Sequence, residues 1–120
     1  MELNDYQRRA METCLPTSDN VLYMLLEIAE ECGELAGKFA KAVRKGKIRF
    51  DRNVLVSLMS FDEFEVWKNE VGKEIGDILW GLAGISKECG FPLDSIGQMN
   101  VDKLASRKER GVIDGAGDNR

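Results

Sequence analysis

The sequence predicts an all-α protein, a bundle of four helices, on three observations. Two long stretches carry apolar residues at helical spacing. Residues that start and stop helices bracket them, and the only two prolines, Pro16 and Pro92, fall between predicted helices. Nothing in the pattern requires a sheet.

Leu3 to Thr13 reads as a short first helix, stopped before Pro16. The polar cluster Thr17-Ser18-Asp19-Asn20 offers N-caps for a second helix, roughly 20 to 45. Its stripe is Leu22, Leu25, Leu26, Ala29, Cys32, Ala36, Phe39, Ala40 and Val43, with Arg44, Lys45 and Lys47 at the negative end of the helix dipole and Gly46 as the stop. Residues 46 to 60 are expected to be a connector with some helix, although Val54 to Met59 also suits a strand or a dimer contact. Ser60 and Glu63 form a capping-box pattern for a third helix, whose stripe runs through Phe64, Trp67, Val71, Ile75, Ile78, Leu82, Ile85 and Cys89 to Gly90. A fourth helix runs from Leu93 or Asp94 to Arg110, with Gly111 beyond it. The chain reads as a single domain, 1–120, in which residues 111–120 are flexible or ordered only by a ligand or partner chain.

Apolar residues at 43% and charged residues at 32% describe a globular chain. No apolar run is long enough for a membrane span, and the first residues lack the pattern of an export signal, so the cytoplasm is the expected location. Three separated cysteines make neither a disulfide framework nor a zinc site. With no histidine, any metal must be held by oxygen. The net charge of -4 argues against stable nucleic-acid binding. At 120 residues, long amphipathic helices are expected to complete their core against another copy.

The second helix carries Glu27, Glu31 and Glu34 on the side opposite its apolar stripe, and the third carries Glu70, Glu74 and Asp77 on one flank. Such stripes are ordinarily solvated faces. Here only Lys38 and Lys73 lie close enough to neutralise them, and Gly33, Gly37, Gly72, Gly76, Gly81 and Gly84 weaken the helices by up to ~1 kcal/mol each. Antiparallel, the two helices would aim four or more carboxylates at one point, where a divalent cation would relieve their repulsion.

Glu30-Glu31-Cys32-Gly33-Glu34, followed some forty residues later by Glu74-Ile75-Gly76-Asp77, resembles the EExxE and ExxD motifs of the MazG-like, all-alpha nucleoside triphosphate pyrophosphohydrolases. Asn100 to Arg107 is similar to the family's NxxKLxxR segment, and the last residues resemble a branch common in bacteria and phages.

The resemblance implies the four-helix bundle of the all-alpha NTP pyrophosphatase type, completed as a homodimer or homotetramer. It implies hydrolysis of a ribo- or deoxyribonucleoside triphosphate to the monophosphate and pyrophosphate, for nucleotide-pool control or cleansing. Glu31, Glu34, Glu74 and Asp77 would bind Mg²⁺, with Mn²⁺ an alternative, and Glu70 would stand nearby. Glu30 or Glu34 would take the proton of the attacking water. Lys103, Arg107 and Arg110, spaced along one face of the last helix, would clamp phosphates, Asn100 would meet a sugar or base, and Trp80 would stack on the base while Trp67 lies in the core. Two other readings remain: a pyrophosphohydrolase of a related nucleotide such as a phosphoribosyl nucleotide, and a non-catalytic helical module that docks a basic partner.

Overall fold

The computed structural model describes residues 1–120 as α1 (Leu3–Met11), α2 (Val21–Arg44), β1 (Ile48–Asp51), β2 (Val54–Ser57), α3 (Phe61–Glu88) and α4 (Leu93–Glu109). The four helices fall where the periodicity and caps put them. Asn20 accepts the Tyr23 N–H at 2.8 Å to start α2, and Ser60 and Glu63 form a complete capping box at the start of α3.

The connector differs from expectation. Residues 48–57 form an antiparallel hairpin, pairing Ile48 with Ser57 and Asp51 with Val54, in place of a partly helical linker. The reason is local. Gly46, at φ +65°, ends α2 with the Lys47 N–H on the Ala42 carbonyl, so the helix cannot continue. Arg52 and Asn53 both adopt left-handed φ, as a two-residue hairpin turn requires, and Ile48, 2% exposed, anchors the first strand.

α2 and α3 pack antiparallel and make the largest interface. Their approach is set by small residues. A Cβ on Gly81 would lie 2.7 Å from Ile28 Cγ1, and one on Gly84 would overlap the side chain of Met24, which is 0% exposed. Towards the other end, Trp67 meets the Phe39 ring edge-on at 5.1 Å and stacks with Phe64 at 5.9 Å.

α1 closes one end of this pair through side-chain amides. Gln7 donates to the carbonyls of Ala83 and Phe91 and accepts from the Leu93 N–H; Asn4 accepts from the Asp94 N–H. Pro92, the residue before α4, offers no side-chain cap, so these two α1 side chains satisfy free donors of the first turn of α4. The Trp80 indole N–H reaches the Ala10 carbonyl and the Thr13 hydroxyl at 3.1 and 3.0 Å.

Within one chain the helices do not close into a compact bundle. The radius of gyration is 17.7 Å, against about 14 Å for a compact chain of this length. On α2 the face turned to α3 carries Met24, Ile28, Leu35, Phe39 and Ala42, whereas Leu22, Leu25, Leu26, Ala29, Ala36, Ala40 and Val43 of the predicted stripe are exposed. Residues 98–106 of α4 are all exposed. In the segment after Gly111 the chain's own arginines make the contacts: Arg107 donates to the carbonyls of Gly117 and Asp118, and Arg120 donates to those of Val112 and Ile113.

Since an added Cβ would overlap the buried Met24 side chain and force it to repack, Gly84→Ala should lower stability by about 1–3 kcal/mol, the usual penalty of overpacking. Chemical denaturation of the single and double variants checks this. Met24→Ala added to Gly84→Ala should be less harmful than the sum of the two single changes.

Candidate metal centre

The register of α2 against α3 determines which acids meet. With Ile28 seated on Gly81, Glu31 one turn further along α2 comes level with Asp77 and Glu74, which lie three residues apart on α3. One carboxylate oxygen from each of Glu31, Glu74 and Asp77 lies within 4.8 Å of the others. Glu74 is buried, Glu31 half-buried and Asp77 exposed, so the cluster is a shallow site open on one side.

Its charge is only partly balanced. Lys38 Nζ lies 3.0 Å from Glu74 and 3.7 Å from Glu70, while Lys73 pairs with Glu70 at 2.7 Å. The Glu70 carboxyl is held below its ordinary range, first by its hydrogen bond to Lys73. The Glu31 carboxyl is pushed above its range, first by burial and then by the charges of Asp77 and Glu34. Neither Glu31 nor Asp77 has a lysine or arginine within ion-pair distance. Three hard oxygen donors, no nitrogen or sulfur ligand and a deficit of positive charge fit a divalent cation of the magnesium or manganese type. Glu34 and Glu30 are exposed and lie outside this close group, Glu34 one turn beyond Glu31.

Tyr6 of α1 stands beside the cluster. Burial raises its phenol, and the charge of Asp77 raises it further. No spacing rule links Tyr6 to an acid on α3; only the docking of α1 brings them together. Next to the cluster on the other side, a groove of about 530 Å³ runs between α2 and α3, and Lys38, Lys41, Lys45 and Lys47 lie along one wall with Val66, Trp67 and Glu70 opposite.

The other expected substrate contacts lie elsewhere. Trp80 is half-buried, and its N–H, bonded to Ala10 and Thr13, pins the end of α1 to α3. Asn100 and Lys103 are exposed on α4, and Lys103 pairs with Asp118 at 3.7 Å. Arg107 is 5% exposed and bonded to Asp118, while Arg110 donates to the Ser106 hydroxyl and the Arg120 carbonyl. None of these bases is paired with Glu31, Glu74 or Asp77. Trp67 does lie among aromatic neighbours, as expected of a core residue, with its ring nitrogen unpartnered.

One glutamate of α2, Glu31, thus meets the ExxD pair Glu74 and Asp77 of α3. The MazG nucleotide pyrophosphohydrolase domain matches residues 20–112, and the chain belongs to that family. Family members depend on divalent metal. The Gene 37 protein of Mycobacterium phage L5 is 29% identical over 127 residues, an alignment that spans the whole of both chains and agrees with the bacterial and phage branch. No solved structure matches. No helix is long and apolar enough to cross a membrane.

Because Arg107 holds Gly117 and Asp118 together, Arg107→Ala should release the last residues while leaving the helix pair intact. Hydrogen exchange should quicken at the amides of residues 112–118 and stay unchanged across the α2/α3 interface. Unaltered exchange in the tail would show that Arg120 alone secures it.

Proposed function

We propose that residues 1–120 work as one pyrophosphohydrolase domain that hydrolyses ribo- or deoxyribonucleoside triphosphates to the monophosphate and pyrophosphate. Mg²⁺ is the proposed metal, the cytoplasm the proposed compartment, and nucleotide-pool control or cleansing the proposed role. The observation that supports this best is the meeting of Glu31 with Glu74 and Asp77, drawn from two helices far apart in sequence to within 4.8 Å.

Glu31, Glu74 and Asp77 would hold the metal, and Glu34, one turn beyond Glu31 on α2, is assigned as a fourth ligand. A divalent cation bound there would offset the charge of the triphosphate and ease ionisation of the attacking water. Glu34 or its neighbour Glu30, both exposed carboxylates at the edge of the group, takes that water's proton. The water oxygen bonds to the α-phosphorus, the bond to the α–β bridging oxygen breaks, and pyrophosphate departs.

Asn100, Lys103, Arg107 and Arg110 are assigned to sugar and phosphate contacts. Lys103 and Arg107 already hold one anion, the Asp118 carboxylate, which a phosphate would replace. The exposed half of α4 and the open apolar face of α2 support assembly into a homodimer or homotetramer, in which α4 reaches the substrate on a neighbouring copy.

Two measurements test these readings. A panel of nucleoside triphosphates and a phosphoribosyl nucleotide should release pyrophosphate only with Mg²⁺ or Mn²⁺ present. Glu31→Gln, Glu74→Gln and Asp77→Asn should each slow turnover by about 100-fold or more, since even changes outside the ligand shell cost about 10–100-fold. Orthophosphate as first product, or full activity in excess chelator, would overturn the assignment. Sedimentation at micromolar concentration should give two or four times the 13.5 kDa chain mass; a monomer would contradict the assembly.

A further inference from the structure

The acidic centre already contains one cation, supplied by the chain itself. Glu74 is the most enclosed of the three clustered carboxylates, its side chain 9% exposed, and Lys38 Nζ is its ion-pair partner at 3.0 Å. The lysine is anchored less firmly than the acid. Its side chain is 32% exposed, and its second contact, Glu70 at 3.7 Å, is shared with Lys73.

This geometry sets up a competition. The oxygen atoms of Glu31, Glu74 and Asp77 converge, so a divalent ion seated among them must use the carboxylate that Lys38 is holding. Lys38 holds one Glu74 oxygen, and its ammonium repels a divalent ion approaching the same, largely buried carboxylate. Lys38 has somewhere to go. It stands on a flexible four-carbon stem and also lines the groove with Lys41, Lys45 and Lys47, of which Lys41 and Lys45 have no carboxylate within ion-pair distance. Displaced from Glu74, its ammonium turns into a groove whose lysines face Asp62, Glu63 and Glu70 and in which Lys41 and Lys45 are left for an anion.

We propose that Lys38 is the built-in counter-ion of the metal-free centre and that an arriving divalent metal transfers its ammonium from Glu74 to the polyphosphate of the nucleotide. Metal alone leaves the displaced ammonium only Glu70, which Lys73 already pairs, whereas metal with nucleotide gives it an unpaired polyphosphate. Each ligand therefore strengthens binding of the other by the same factor. Lys38 acts as a positioning residue that couples the two binding events. The inference rests on the metal centre proposed above, and its test separates the two.

The test is Mn²⁺ binding, followed by electron paramagnetic resonance, to the intact protein and to Lys38→Met and Lys38→Arg. Each titration is run with and without a triphosphate whose α–β bridging oxygen is replaced by methylene. Without nucleotide, Lys38→Met should bind Mn²⁺ about fivefold more tightly than the native protein, the factor that corresponds to losing a competing partly exposed ion pair. Lys38→Arg keeps the competing charge and should stay near the native value. The analogue should tighten Mn²⁺ binding in the native protein more than in Lys38→Met. A lysine with a merely structural role would give the opposite sign, weaker metal binding on removal. Equal or weaker Mn²⁺ binding by Lys38→Met overturns the exchange and leaves the metal centre standing; absence of Mn²⁺ binding in the native protein removes both.

Discussion

The close approach of α2 and α3 at Gly81 and Gly84 is the constraint on which the rest of the molecule depends. Without a Cβ at these positions, Ile28 and Met24 can sit directly against the α3 backbone. That contact fixes both the distance between the helices and their axial register. One turn from Ile28 the register places Glu31 opposite Asp77 and Glu74, and three turns away it places Phe39 against Trp67. A shift of one turn, about 5.4 Å, would bring different residues level and dissolve the cluster. The glycines are thus tied to the site through packing, although neither touches a carboxylate.

The same two helices carry unequal electrostatic loads along their length. At the acidic centre the carboxylates outnumber the ammonium groups, and the Glu31 carboxyl is raised by burial and by its neighbours. Further along, lysines dominate one wall of the groove. An anionic substrate bearing a cation is the kind of ligand that such a divided surface suits, since each part of it meets charge of the opposite sign. α1 closes the other end with Gln7, Asn4 and the Trp80 pin, polar contacts aimed mainly at backbone groups, of which the Leu93 and Asp94 N–H groups would otherwise be free. The fold spends little apolar surface on this closure and leaves much of it on the outside of α2.

The apolar pattern of α2 carries two messages. Leu22, Leu25, Leu26, Ala29, Ala36, Ala40 and Val43 form a regular stripe, yet they face away from α3, which packs instead against Met24, Ile28, Leu35, Phe39 and Ala42. Periodicity reports that a residue avoids water; it does not say whether the covering surface belongs to the same chain. An α2 helix that is apolar on two sides has one side for α3 and one left over. The predicted placement of the glutamates opposite the stripe was geometrically sound, and in the structure that direction is the flank facing α3.

By itself the sequence determined what depends on near neighbours: the helices, their caps and the all-α class, because hydrogen bonds and propensities act over a few residues. It also put Glu27, Glu31 and Glu34 on one side of the second helix and Glu70, Glu74 and Asp77 on one flank of the third, since spacing within a helix settles which side a residue occupies. Only the tertiary structure decided that three of those acids converge while Glu30 and Glu34 stand at the edge, for this follows from interhelical register. Tertiary packing likewise set the Trp80 N–H against the end of α1, and gave Arg107 the C-terminal segment to hold. The hairpin at 48–57 was missed for a related reason. Its strands are short and their turn is Arg52-Asn53, without the glycine that usually marks such a turn, so pairing across the hairpin and the burial of Ile48 outweighed weak local signals.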